Sequence, residues 1–226
     1  MNKFHMLVTY CLLPFYWLRS QFLRRFGSQS KINKELKMYP RHYLGFRGIK
    51  IVQHGHQPDP KVTCIYVSNH QSMNDIFIAL GSVNRPFRFI AKKELFENFI
   101  TGTFMKLSQS YPLDRDDARK SLLILKQVVA DLKEGHSAFA FPEGTRSHQK
   151  DMLPFKDGMF SMLKKAEVPI VPLYIKESFN EKQKDFHVYY GEPVMPSTYN
   201  AMKGPALSEY MFETMNALKQ SAYSIE

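Results

Sequence analysis

From Ile49 onward, short apolar runs rich in β-branched residues alternate with longer segments of helical periodicity, and few folds accept that order. The strand candidates are IKIVQH (Ile49 to His54), KVTCIYVSN (Lys61 to Asn69), FRFIA (Phe87 to Ala91), YPLD (Tyr111 to Asp114), SAFAF (Ser137 to Phe141), VPIVPLYI (Val168 to Ile175, broken by Pro169 and Pro172) and DFHVYYGEP (Asp185 to Pro193). Helices are expected at Asp75 to Val83, Leu95 to Leu107, Phe155 to Lys165 and Ala206 to Ala222, the last carrying Tyr210, Met211, Thr214, Met215 and Leu218. One more has an apolar face of Ala118, Leu122, Leu125, Val129 and Leu132. Asp116 and Asp117 suit its positive N-terminus and Gly135 can close it. The alternation predicts a single α/β domain with a mostly parallel or mixed sheet covered by helices. In such sheets ligands bind at the carboxyl ends of strands. The length of 226 residues suits one such domain with an N-terminal appendage.

That appendage opens with MLVTYCLLPFYWL (Met6 to Leu18), 13 apolar residues where a spanning helix needs about 20. Cys11, Phe15, Leu18, Phe22 and Phe26 recur at helical spacing, and Tyr16 and Trp17 suit a water–lipid boundary. Met6 to Phe26 therefore reads as an interfacial amphipathic helix dipping into one leaflet, with an ordinary helix docked on the domain and a shallow full span as the other readings. Arg19, Arg24, Arg25, Lys31, Lys34 and Lys37 follow closely and place the globular part on the cytoplasmic side of a membrane, held monotopically or peripherally. SQSKINKELKMYP (Ser28 to Pro40) reads as a short polar helix or linker. Residues 1–40 are thus expected to form a membrane-associating helical segment, and residues 41–226 the α/β domain.

Lys plus Arg number 31 against 21 Asp plus Glu, a formal net charge of +10 that favours nucleic acid, an anionic membrane surface or a phosphorylated substrate. Zinc-finger spacing, the aromatic RNA-binding motif and a heptad-linked basic region are all missing, so no nucleic-acid partner is expected. The two cysteines, Cys11 and Cys64, sit far apart in apolar surroundings, which speaks against a disulfide framework and for a reducing compartment. HGH at His54 to His56 lacks further ligands at metal spacing and reads as a polar turn, so no metal is expected.

Two motifs carry chemistry. In SNHQSMNDIFIAL, His70 and Asp75 stand five residues apart where an apolar strand gives way to an apolar helix. Ser72 and Asp75 fit a capping box, so the stretch reads equally as a helix start and as a catalytic pair. FPEGTRS (Phe141 to Ser147) directly follows a strand. Its Pro142 and Gly144 fix a turn from which Glu143, Thr145 and Arg146 project, and an arginine fork suits a phosphate. Arg115 also ends a strand, in YPLDRDD; there it either joins Arg146 at one phosphate or pairs with Asp114, Asp116 or Asp117.

Together these motifs resemble the glycerophospholipid acyltransferases, specifically the 1-acylglycerol-3-phosphate acyltransferase branch. The resemblance rests on N-H-x-S-x-x-D at Asn69, His70, Ser72 and Asp75, on FPEGTRS, on the block ending in Arg115, on FKDGMF (Phe155 to Phe160) and on VPIVP (Val168 to Pro172). It covers roughly Asn69 to Ile175. The arginine block departs from the usual pattern, with Gln109 and Pro112 where a glycine and a phenylalanine often stand.

The resemblance implies transfer of a fatty acyl group from acyl-CoA or acyl-carrier protein to the sn-2 hydroxyl of lysophosphatidic acid, without a cofactor. His70 would take the hydroxyl proton, and Asp75 would orient the ring and stabilise its charged form. Amides at the helix start after Ser72 are candidate donors to the developing oxyanion. Arg115, Glu143, Gly144, Thr145, Arg146 and Lys156 would bind the glycerol phosphate. Leu95 to Leu107 would be a core helix or would lie along the acyl chain or the bilayer surface. A serine hydrolase built on Ser72 lacks the G-x-S-x-G elbow. The remaining alternatives are a different lysophospholipid or glycerol 3-phosphate as acceptor, and a non-catalytic lipid-surface protein.

Overall fold

The computed structural model describes residues 3–180 and 182–224, with the side chains of residues 3–13 and of residue 100 outside the description. The Cys11 side chain of the predicted apolar stripe falls among these. The elements run α1 (Lys3–Phe26), α2 (Gln29–Phe46), β1 (Lys50–His54), β2 (Ile65–Ser68), α3 (Asn74–Ser82), β3 (Phe87–Lys92), α4 (Phe99–Leu107), β4 (Tyr111–Leu113), α5 (Ala118–Lys133), β5 (Ser137–Ala140), α6 (Asp157–Leu163), β6 (Ile170–Ile175), β7 (Asp185–Tyr190), α7 (Pro196–Tyr199) and α8 (Gly204–Ser224).

The seven strands form one sheet in the order β1-β7-β6-β2-β5-β3-β4. All neighbours are parallel except β6 and β7. Parallel strands need crossovers, and the helices supply them on both faces. Strand side chains alternate between the two faces. Cys64, Tyr66, Phe87, Phe89 and Phe139 pack with α2, α3 and α4. Ile65, Val67, Ala138 and Ala140 pack with α5, α6 and α8. The chain leaves β2 through α3 on the first face and leaves its neighbour β5 through α6 on the second. Adjacent strands departing to opposite faces leave a crevice at their carboxyl ends, the topological switch point where such folds bind ligands.

Local chemistry sets the helix limits. In α5, Asp117 caps the N-terminus by accepting from the Lys120 amide. Gly135, at φ +96°, closes the other end, where the His136 amide reaches the Asp131 carbonyl and the Gly135 amide reaches the Leu132 carbonyl. The buried face is Leu125, Val128 and Leu132, each contributing about 1.5–3 kcal/mol. Leu122, expected on that face, is 42% exposed. Pro172 does not break its strand: β6 continues through it, and the Gly191 amide bonds to the Pro172 carbonyl.

The segment expected as a short polar helix or linker is longer and better buried than that. Residue 40 lies inside α2, and Ile32, Leu36, Tyr39 and Leu44 are buried. Helix α1 lies on α2 and α4. Its Leu23 is buried, the Tyr16 ring meets Tyr39 at 4.5 Å, Trp17 stacks on Phe99 at 5.5 Å, and Arg19 pairs with the buried Glu35. Phe15, Leu18, Phe22 and Phe26 point away and are exposed. Leu95 to Leu107 is not one helix: a 3-10 turn (Lys93–Phe96) precedes α4. No helix among the described residues is long and apolar enough to cross a membrane.

Candidate active site

His70 follows β2 by two residues, and Asp75 lies in the first turn of α3. The His70 Nδ1 to Asp75 Oδ2 distance is 2.8 Å. Asp75 is fully buried, and its Oδ2 also accepts from the Gln71 amide at 2.6 Å and the Ser72 amide at 2.8 Å. Ser72 Oγ in turn accepts from the Asn74 amide. The expected Ser72–Asp75 capping box is half formed: Asp75 reaches back to the Ser72 amide, but Ser72 Oγ takes the Asn74 amide instead of that of Asp75, and one carboxylate thus holds both the turn before α3 and the imidazole. Because Oδ2 is an acceptor, the ring proton belongs on Nδ1, and Nε2 keeps the lone pair. Of the amides after Ser72 expected to stabilise an oxyanion, that of Asn74 meets Ser72 Oγ and that of Asp75 meets the Ser72 carbonyl at 3.4 Å, while Met73 lines the cleft described below.

The FPEGTRS segment follows β5 and wraps His70. The Phe141 ring stacks on the imidazole with centroids 4.1 Å apart, and the Ser147 amide donates to the His70 carbonyl at 2.8 Å. Gly144 sits at φ +76°, a backbone state that favours glycine. Glu143, expected among the phosphate ligands, is instead turned inward and only 2% exposed. Its Oε1 accepts from the His70 amide at 2.6 Å and its Oε2 from the Leu153 amide at 2.8 Å. Burial pushes its carboxyl up to about 7; the two amide bonds pull the other way, and the Asp75 charge adds to the rise. A buried acid already holding two backbone amides has no reason to approach a phosphate.

His70, Arg115, Gly144, Thr145 and Arg146 line one cleft of about 890 Å³, open solvent included. Arg115 faces it rather than its acidic neighbours: Asp114 pairs with Lys93 at 2.9 Å and Asp117 with Lys120 at 3.2 Å. Lys156 lies apart from the lining. It is exposed, its amide bonds to the Pro142 carbonyl at 2.9 Å, and its aliphatic stem runs beside Gly144. The rest of the lining is largely apolar, with Met73, Ile76, Phe89, Leu95, Met105 and Phe141.

Several contributors escaped sequence reasoning. Lys92, at the end of β3, adds a third cation to the cleft. The buried Asn69 amide pairs with both the Ile175 carbonyl and the Ile175 amide, at 2.9 and 2.8 Å, which pins the end of β2 to β6. The Gln71 side-chain Oε1 accepts from the Ser178 amide at 3.0 Å. Asn69 was named in the N-H-x-S-x-x-D motif but given no role; Gln71 flanks His70 in sequence, the signal that could have singled it out. No group of three metal-ligating side chains stands together among the described residues.

The switch point of the sheet thus gathers a histidine–carboxylate pair, three cations and apolar side chains in one cleft. The chain is a member of the Acyltransferase family, whose model matches residues 49–176. It is 35% identical over 161 residues to the chloroplastic 1-acyl-sn-glycerol-3-phosphate acyltransferase of Brassica napus, covering 71% of this chain and 45% of that protein. It is 37% identical over 134 residues to the 1-acyl-sn-glycerol-3-phosphate acyltransferase of Saccharomyces cerevisiae, covering 58% and 43%. The matches span less than half the length of either relative. The fold is that of PlsC, the 1-acyl-sn-glycerophosphate acyltransferase of Thermotoga maritima, with a TM-score of 0.75 at 22% identity over 96% of this chain and 93% of that one.

Proposed function

We propose that the protein transfers a fatty acyl group from acyl-CoA or acyl-carrier protein to the sn-2 hydroxyl of 1-acylglycerol 3-phosphate, making phosphatidic acid. The observation that carries this reading is a single cleft holding His70, backed by Asp75, together with Arg115 and Arg146 and an apolar wall. His70 Nε2 takes the acceptor's hydroxyl proton as the oxygen attacks the thioester carbonyl. Asp75 stabilises the imidazolium that forms. Collapse of the tetrahedral intermediate expels the thiolate, which takes the proton back from His70. The substrate supplies the nucleophile, so no covalent acyl-enzyme forms. Arg115 and Arg146 hold the phosphate, with Thr145 and the Gly144 turn beside them, and so set which hydroxyl reaches His70.

A thiol-release assay with acyl-CoA or acyl-carrier protein tests the reading, with lysophosphatidic acid, lysophosphatidylcholine and glycerol 3-phosphate as competing acceptors. Release should be fastest with lysophosphatidic acid, and preference for another acceptor would refute the assignment. Arg146→Ala should raise the KM for lysophosphatidic acid about 10- to 100-fold, the value of a charge-assisted hydrogen bond or two. The KM for the donor should hold steady; an unchanged acceptor KM would remove Arg146 from the phosphate site.

The same reading places the enzyme on the cytoplasmic surface of a membrane. Its support is the exposed ridge of Phe15, Leu18, Phe22 and Phe26, with Phe99 nearby and Arg24 and Arg25 at the end of α1. Replacing Phe15, Leu18 and Phe22 together by Glu should leave the melting temperature unchanged, because none of them is buried. It should shift the protein from the vesicle fraction to the aqueous fraction in flotation with anionic liposomes. Undiminished flotation would count against this face.

A further inference from the structure

Helix α5 is buried along Leu125, Val128 and Leu132, and its other side is exposed, with no partner among the described residues. On that side Arg119, Lys126 and Lys133 are exposed at seven-residue intervals, with Leu122 and Leu123 between the first two at 42% and 59% exposure. The acids of the helix are elsewhere: Asp117 caps its start and pairs with Lys120, Asp131 is buried against Arg88, and Glu134 stands at its end. Arg119, Lys126 and Lys133 have no ion-pair partner among the described residues. From Arg119 to Lys133 the stripe runs about 21 Å at 1.5 Å per residue.

We infer that this face of α5 docks an acidic carrier protein that delivers the acyl thioester, an inference that rests on the function proposed above. The stripe is too long for the phosphates of a single coenzyme and matches a helix of a partner protein. An apolar centre rimmed by cations suits a protein surface; nucleic-acid backbone would call for cations and polar groups throughout. A bilayer is the poorer match. The apolar ridge of α1 belongs to the layer of α2, α3 and α4 on one face of the sheet, whereas α5 covers the other with α6 and α8. A membrane held by α1 therefore leaves α5 turned to water. The helix also starts three residues after Arg115, which lines the cleft, so a thioester carried on a flexible pantetheine arm has a short path to His70.

The test compares initial rates with the same acyl chain on acyl-carrier protein and on CoA, using lysophosphatidic acid as acceptor. The enzymes are wild type and the double variant Arg119→Glu, Lys126→Glu; a second variant, Leu123→Asp, probes the apolar centre. All positions are exposed, and melting temperatures report on folding. Both variants should raise the KM for the carrier-protein thioester by about ten-fold or more, with the KM for acyl-CoA within about two-fold of wild type. Equal changes for both donors, or none for the carrier protein, would overturn the docking face. A wild type active with acyl-CoA but inert with the carrier protein would also overturn it, while leaving the proposed function standing. Loss of vesicle binding in the α5 variants would assign the face to a membrane instead. Inactivity of the wild type with both donors would remove the function and the docking face together.

Discussion

Replacing His70 by Ala should lower turnover by about 10²- to 10⁴-fold, the usual contribution of a positioned general base, with little change in the KM of either substrate. The ring fills no core position, and its removal leaves the Asp75 cap intact, so the variant should fold. Asp75→Asn should cost a comparable factor for a different reason. Its carboxylate fixes the ring proton on Nδ1 and stabilises the imidazolium, and an amide that turns its NH2 toward Nδ1 would favour the wrong tautomer. The amide would also meet the Gln71 and Ser72 N–H groups that now converge on Oδ2, so Asp75→Asn should lower the melting temperature where His70→Ala does not. Because the two residues act as a unit, the double variant should be no slower than the worse single one. Steady-state kinetics of the three variants check this. Wild-type turnover in both single variants would remove the general-base assignment.

Much of this site was legible because its signals are local. His70, Ser72 and Asp75 lie within six residues, and the bonds among them are the His70–Asp75 side-chain pair and backbone-to-side-chain contacts of one helix start. The two readings of that stretch, helix start and catalytic pair, are geometrically compatible because one oxygen of Asp75 meets both the His70 ring and the amides before α3. The strands were legible for a similar reason: buried parallel strands are continuous apolar runs. What sequence could not disclose depends on partners far along the chain. Glu143 looked like a group beside a phosphate because it precedes Thr145 and Arg146, but its partner is the amide of His70, 73 residues earlier. The arginine at 115 had three acidic neighbours, and only the fold shows Asp114 taken by Lys93. In α5 the apolar residues fit two adjacent faces, and the neighbouring α6 selected Val128 over Leu122. The stretch from Ser28 to Pro40 read as polar because lysines dominate it, whereas packing buries Ile32, Leu36 and Tyr39 and carries the helix on to Phe46.

Glu143→Gln separates a role in holding His70 from a role in binding phosphate. Both carboxylate oxygens accept backbone N–H groups, from His70 and Leu153. A glutamine offers one acceptor and one NH2, so one of those amides would face a donor and lose its bond. The peptide plane of His70 would shift, and displacements of about 1 Å near reacting atoms can cost roughly 10²-fold. The expected result is a fall in kcat of about 10- to 100-fold with the lysophosphatidic acid KM nearly unchanged. A rise in that KM at constant kcat would return Glu143 to the phosphate site. Stability supplies an independent readout. The folded protein holds the Glu143 proton up to about pH 7, whereas the unfolded chain releases it near the ordinary value of 4.5. Between those values the native state binds more protons, so ionisation progressively destabilises the wild type as pH rises, and the cost is complete above pH 7. Glutamine carries no such cost. The melting temperature of Glu143→Gln relative to wild type should therefore be lowest near pH 4.5 and should recover as the pH is raised through 7. A gap that widened with pH would mean that the wild-type carboxylate is stabilised by its two amide bonds more than burial destabilises it.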